Sequence, residues 1–376
     1  MRRALGSLVA VGVMASAAHA KIPTYAVPTP GSQPWSITTA FDNAGWFTER
    51  GADKVGRIDA DGHITELALP AGAKPVGITP TALGTLAVAA NGTKTIDELS
   101  PTGTVTTHAL PNDLAPYDVI LGPDSRVWFT AQIAPEQPGA VGALGSDGQV
   151  AVYPLDGEPW GLTRGNDGNV WVAERTEFGG VIARVTTSGA ITKFNTGPES
   201  LPLDLAVGGD GNVWFTDQDG GRVGRLKADG TMRSFAIGGS PTIFGIAKNP
   251  YGGVLVADSG RHAIYRVSNT GKAHRIPVPG APVHIDLRYP SGMWFTLRDG
   301  SIGRLDDGDL IPACVVPKLV GLKLARAKSA LRQAECSVGR VSRHRHGRRH
   351  GVIYKQSQKP GLRLSPGSAI GLWVSS

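Results

Sequence analysis

Apolar residues along most of this chain come in short bursts separated by turns of Gly, Asp, Asn and Pro, and the bursts recur on a fixed period. The stretch "PWGLTRGNDGNVWVAE" at 159–174 returns as "PLDLAVGGDGNVWFTD" at 202–217. Aligned on its first proline, the phrase begins at Pro34, Pro75, Pro116, Pro159, Pro202, Pro241 and Pro282, with spacings of 41, 41, 43, 43, 39 and 41 residues. Each period reads as four strands. A first strand such as "WSITTA" leads through a Gly/Asp/Asn turn to a second, "NVWFTD" or "GVLVAD". A third follows, "KVGRIDADG" or "RVGRLKADG", and then a fourth, "HITELALP". Gly, Asn and Asp suit the turns because a positive φ is cheap there. Four short strands per period of this length predict a propeller blade, and seven in series bury a core that one blade alone cannot. The tryptophans of the second strands then read as pegs between sheets. The seventh period lacks a fourth strand, while "IPTYAVPTP" at 22–30 matches the fourth-strand phrase. The pattern therefore predicts an all-β, seven-bladed β-propeller closed by an N-terminal strand.

Composition adds an address and a second module. Arg2 and Arg3, an apolar run and "AHA" make residues 1–20 a predicted secretory signal, removed before Lys21. No later run approaches a transmembrane length, so the reading is a secreted or cell-envelope protein that does not span a membrane, and a monomer. Net charge is +7, but the residues from Pro312 onward carry +12, leaving a mildly acidic body of −5. The two cysteines, Cys314 and Cys336, both lie in the basic segment, and in an exported chain such a pair reads as a disulfide. The boundaries expected are 1–20 for the signal, 21–311 for the propeller and 312–376 for the small module.

With "DGNVWFTD", "VGRI" and "ITEL" in register, residues 22 to about 311 resemble the virginiamycin B (streptogramin B) lyase family, itself related to NHL and gluconolactonase-like propellers. The tail from 316 to 376 resembles a PASTA domain, with "VPKLVG", a helix whose apolar face is Leu324, Ala327, Ala330 and Leu331, and "QSQKPG" before a last strand. An α+β module is thus expected, in which Cys314–Cys336 clips the lead-in strand to the helix end. Closing that loop is worth on the order of 3 kcal/mol. The first resemblance implies elimination at a cyclic depsipeptide ester, with a histidine base and a divalent metal as Lewis acid. It implies those histidines in P-H-[GA]-I phrases of the last two blades, a glutamate two residues before the final one, and an acid at a "WFxE" strand end.

This chain departs from that set. Blade six reads "SPTIFGI", which puts Phe244 or Thr242 at the histidine position; blade seven reads "GAPVHIDL", with Ala281 for the glutamate, Val283 for the histidine and His284 one residue late. Leu297 ends "WFTL". A one-residue slip turns a strand side chain to the other face, so His284 serves as the catalytic residue only if the backbone bulges before it.

The first-strand starts supply a ligand rim of Trp35, Tyr117, Trp160 and Phe244, with Asp118, Asp204 and His284 one residue on. Second-strand ends supply Glu49, Glu174, Asp217 and Asp258, expected to converge on the same funnel. Glu49, Asp258 and His284 form the candidate metal set, its oxygen donors favouring Mg²⁺ or Ca²⁺. No Ser-His-Asp order or cysteine nucleophile is present. The basic run 339–352 lies within the tail of an exported chain, which argues against nucleic acid; Arg343, Arg345, Arg348 and Arg349 are instead candidate contacts for an anionic wall polymer or peptidoglycan. The leading expectation is an exported envelope binding protein with a small-molecule or peptide ligand on the funnel face. The alternative is a divalent-metal-dependent propeller enzyme, a C–O lyase or lactonase.

Overall fold

The computed structural model describes residues 22–376 except 134–136, 219, 239–241, 289–291, 311–313, 335, 346–349 and 365–367. The predicted signal and Pro241 lie outside the described residues. Seven four-stranded antiparallel sheets follow one another along the chain. Blade one is Pro34–Thr39, Gly45–Glu49, Lys54–Ile58 and Ile64–Ala68, counted from the innermost strand outwards. The other inner strands are Pro75–Pro80, Ala115–Leu121, Glu158–Arg164, Pro202–Val207, Ile243–Lys248 and Pro282–Arg288. The outer strand of blade seven is Thr24–Ala26, paired antiparallel with Ser301–Leu305 so that Tyr25 faces Ile302. The start of the chain therefore completes the last sheet. The paired stretch is shorter than 22–30, because Thr29 turns away to blade one and binds Glu66 through both its N–H and its hydroxyl.

The repeated phrase is a packing unit. Trp46, Trp128, Trp171, Trp214 and Trp294 are each at most 2% exposed. Burying an indole removes about 200 Å² from water, roughly 5 kcal/mol at 25 cal per Å². In four of these blades the turn aspartate four residues earlier (Asp42, Asp124, Asp167 or Asp210) accepts the indole N–H at 2.9–3.2 Å. An arginine, on the third strand as Arg57, Arg184 or Arg225 and in the turn before the second strand as Arg126, lies over the indole face at 5.0–5.9 Å. The turn and the core are thus fixed by one phrase.

The blades also alternate. Blades one, three, five and seven carry Phe-Thr in the second strand (Phe47-Thr48, Phe129-Thr130, Phe215-Thr216, Phe295-Thr296), and each Phe faces a glycine on the third strand. Blades two, four and six carry Val-Ala instead. Every one of the four threonine hydroxyls bridges a seam. It accepts the inner-strand N–H of its own blade (Ser36, Asp118, Asp204 or His284) at 3.0–3.2 Å. It donates to a carbonyl of the next blade (Val76, Trp160, Phe244 or Trp35) at 2.5–2.9 Å.

The tail forms a three-stranded sheet in which Ser337–His344 runs parallel to Ala369–Ser375 and Ile353–Gln356 antiparallel to it. Helix Leu324–Gln333 buries Ala327 and Leu331 against Ile353, Ile370 and Leu372. Cys314 and Cys336 are joined as a disulfide, with Cα atoms 4.7 Å apart. No described helix is long and apolar enough to cross a membrane.

Candidate functional site

All seven inner strands begin with the same irregularity. The ladder to the second strand slips between the first position and the fourth in six blades, as at Pro34/Ile37, Pro159/Leu162 and Pro282/Ile285, and between Pro116 and Asp118 in blade three. Such a bulge lets two successive side chains face one way. The consequence is a central funnel of about 660 Å³ lined by both residues after the first: Trp35 and Ser36, Tyr117 and Asp118, Val283 and His284, and their counterparts. His284 therefore faces the funnel despite its late position, which corrects the simple alternation rule.

Blade six resolves as well. Ile243 pairs with Asp258 as Pro34 pairs with Glu49, so Phe244, not Thr242, stands at the implied histidine position. Phe244 and Val283 both line the cavity where the resemblance implies imidazoles. All four rim aromatics line it too. Tyr117 and Trp160 meet edge to face, centroids 5.0 Å apart and planes at 80°. Burial pushes the Tyr117 phenol up, with the Asp118 charge adding to it.

The floor follows the alternation of blades. Asp118 reaches over the glycine of blade four to accept the Leu162 N–H at 3.1 Å, and Asp204 reaches over that of blade six to Ile246 N–H at 2.9 Å. His284 Nδ1 accepts from Ile37 N–H of blade one at 3.4 Å. These glycines make room for the blade that follows: a Cβ on Gly161 would lie 2.7 Å from the Leu203 carbonyl of blade five, and one on Gly245 2.8 Å from His284 Cα of blade seven. Burial pushes the Asp118 carboxyl up to about 7, helped by the Asp204 charge. Burial also pushes Asp204 up to about 7, against its two backbone N–H bonds. Burial pulls His284 down, against the charges of Asp118 and Asp286. With Nδ1 accepting, neutral His284 carries its proton on Nε2; that atom faces Asp204 Oδ2 at 3.8 Å.

The second-strand ends do not join them. Glu49, Glu174 and Asp258 are at most 2% exposed and absent from the funnel wall. Glu49 shares a strand face with Phe47, which packs with Trp294 in the seam between blades seven and one. Burial pushes Glu49 up to about 8, and the charge of Glu66 adds to the rise. Glu174 is paired with Lys193 at 3.0 Å. Asp258 accepts from the Thr242 hydroxyl and the Arg261 N–H. The metal set Glu49, Asp258 and His284 therefore does not assemble, because strand alternation sends the two acids between blades. Asp118 and Asp204 do reach the floor, but each carboxylate is committed to two backbone N–H groups. The residues present do not fit the divalent ion that the resemblance implies. Among the described residues, the donors within metal-binding reach of one another are Asp59, Asp61 and His63, on an exposed turn of blade one.

In five of the seven blades the repeat position one past that of Glu49 lines the wall instead: Arg50, Asn91, Gln132, Arg175 and Gln218. Sequence reading passed over these, although they share one offset in every period. In the tail, Arg343 and Arg345 are exposed, Arg343 on a strand rather than a loop, while Arg348 and Arg349 lie outside the described residues.

The propeller matches the model of the "Virginiamycin B lyase family" over residues 10–178 and 156–343, and the tail matches "PASTA domain" over 315–376. A virginiamycin B lyase from Nocardia farcinica is 32% identical over 201 residues, 52% of this chain and 67% of that protein. A solved streptogramin B lyase superposes with a TM-score of 0.69 at 26% identity, covering 75% of this chain and 96% of that one. A catalytically inactive virginiamycin B lyase from Staphylococcus aureus, solved with quinupristin, gives 0.70 at 27% identity, covering 76% and 99%. Seven blades and a family match along most of its length lead to one conclusion: this chain belongs to the virginiamycin B lyase family and carries a PASTA domain after the propeller.

Proposed function

We propose that the protein is an exported, envelope-associated binding protein whose funnel holds an aromatic-bearing small molecule or peptide without breaking it. The observation that carries this is the state of His284. A general base needs a lone pair facing the substrate, and the lone pair of neutral His284 is turned to the Ile37 N–H. Phe244 and Val283, facing the cavity, cannot carry a proton in its place. What remains is an aromatic-walled pocket of a size that suits a drug-sized ligand. The tail supports the envelope half of the reading, since PASTA domains bind peptidoglycan-type ligands. Arg343 and Arg345 add exposed positive charge for an anionic polymer.

Tryptophan fluorescence of the full chain titrated with quinupristin is the test. Saturable binding that weakens at least tenfold in Trp160→Ala and in Tyr117→Ala is expected, because each variant removes half of the edge-to-face pair. Unchanged affinity in both variants would exclude the funnel as the binding site. For the tail, pelleting with purified peptidoglycan should drop when Arg343 and Arg345 are both replaced by Gln.

A further inference from the structure

We propose that the mouth of the funnel is an anion-binding subsite built on Arg50 and Arg175, and that the ligand is an aromatic carboxylate. This rests on the funnel reading above and specifies its chemistry. The contrast lies at one repeat position, one past that of Glu49. In blades two, three and six its side chain closes a seam. Asn91 Nδ2 donates to the Pro116 carbonyl at 3.0 Å, Gln132 Nε2 to Pro159 at 2.9 Å, and the Ser259 hydroxyl to Pro282. In blades one, four and seven the position is Arg50, Arg175 and Arg298, and none of their side chains makes that bond. Arg50 lies over Trp35 at 5.2 Å and Arg298 over Phe244 at 4.8 Å, so two of the rim aromatics each carry a guanidinium.

Stacking holds the plane of the Arg50 guanidinium and leaves its N–H edge for the two-bond grip on a carboxylate, while Arg175 lines the same cavity without a ring beneath it and Arg298 is not part of the lining. Among the described residues the arginines in ion pairs are Arg57, Arg126, Arg225, Arg261 and Arg304; Arg50, Arg175 and Arg298 have no such partner. The acids of the cavity do not compensate Arg50. Asp118 and Asp204 are bound to backbone N–H groups at the floor, which leaves Arg50 clear of them; Glu158, buried, stands opposite Arg175 in the strand ladder. Tyr117 and Trp160 line the same cavity and offer it an aromatic slot.

Calorimetric titration of the full chain with N-acetyl-L-tryptophan and with its uncharged amide tests this. The acid is expected to bind at least tenfold more tightly than the amide. Arg50→Gln should bring the two within about twofold by weakening the acid more than the amide, and Arg50→Lys should restore part of the preference. Equal affinity for acid and amide in the native chain, a preference that survives Arg50→Gln and Arg175→Gln, or no binding of either probe would overturn the proposal. Quinupristin binding that is still lost in Trp160→Ala would then show that the funnel reading stands and only the anion subsite has failed.

Discussion

Glu49 shows how a single side chain can carry a fold-wide signal. Its carboxyl is buried in the closing seam and holds its proton to about pH 8, whereas the unfolded chain would release it near 4.5. A folded-state pKa above the unfolded one gives stability that is full at low pH and is lost as pH rises between those two values. Glu49→Gln keeps the shape of the protonated side chain and takes no charge at any pH. The variant should match the native chain at pH 5 and exceed its melting temperature by about 2 °C or more at pH 9, an effect on the order of 1 kcal/mol. Melting curves at the two pH values decide this. The sequence showed that Glu49 ends a strand, but not where it points. Its face follows from Phe47 packing into the seam, and the strand rule that would have excluded it from the funnel was available in the sequence.

Among the elements, the second strands decide how blades join. A Thr216→Val substitution keeps shape and volume but removes the hydroxyl that links the Asp204 N–H to the Phe244 carbonyl. Leaving both groups buried and unpaired should cost about 1–3 kcal/mol in denaturant unfolding. Thr130→Val should behave alike, because it occupies the same place in blade three. This alternation was legible: Phe-Thr and Val-Ala trade places from one period to the next. A reading tuned to one period of about 41 residues saw the strands and turns and missed the doubled unit. The bulge at each inner-strand start has a mark in the sequence, since in six blades it begins at the proline that opens the phrase, but a proline there does not by itself say that the ladder slips. That bulge is what brings His284 into the funnel.

The whole molecule depends on closing an odd ring. Blades seven and one are both of the Phe-Thr kind and meet at the seam that the N-terminal strand completes. Tyr25 packs edge-on against Trp294 at 5.8 Å. Truncating it to Ala should cost about 1–3 kcal/mol, read from denaturant midpoints, with unfolding speeded more than folding is slowed. The seven sheets and the tail module were legible because period, turn chemistry and the paired cysteines all agree. The chemistry of the funnel was less so, because it rests on where a lone pair points. The measurement that bears most directly on the account follows the mass of quinupristin incubated with the full chain and Mg²⁺. Recovery of the intact ring after saturable binding is the predicted result. Accumulation of a linear product that stops in His284→Ala would contradict it.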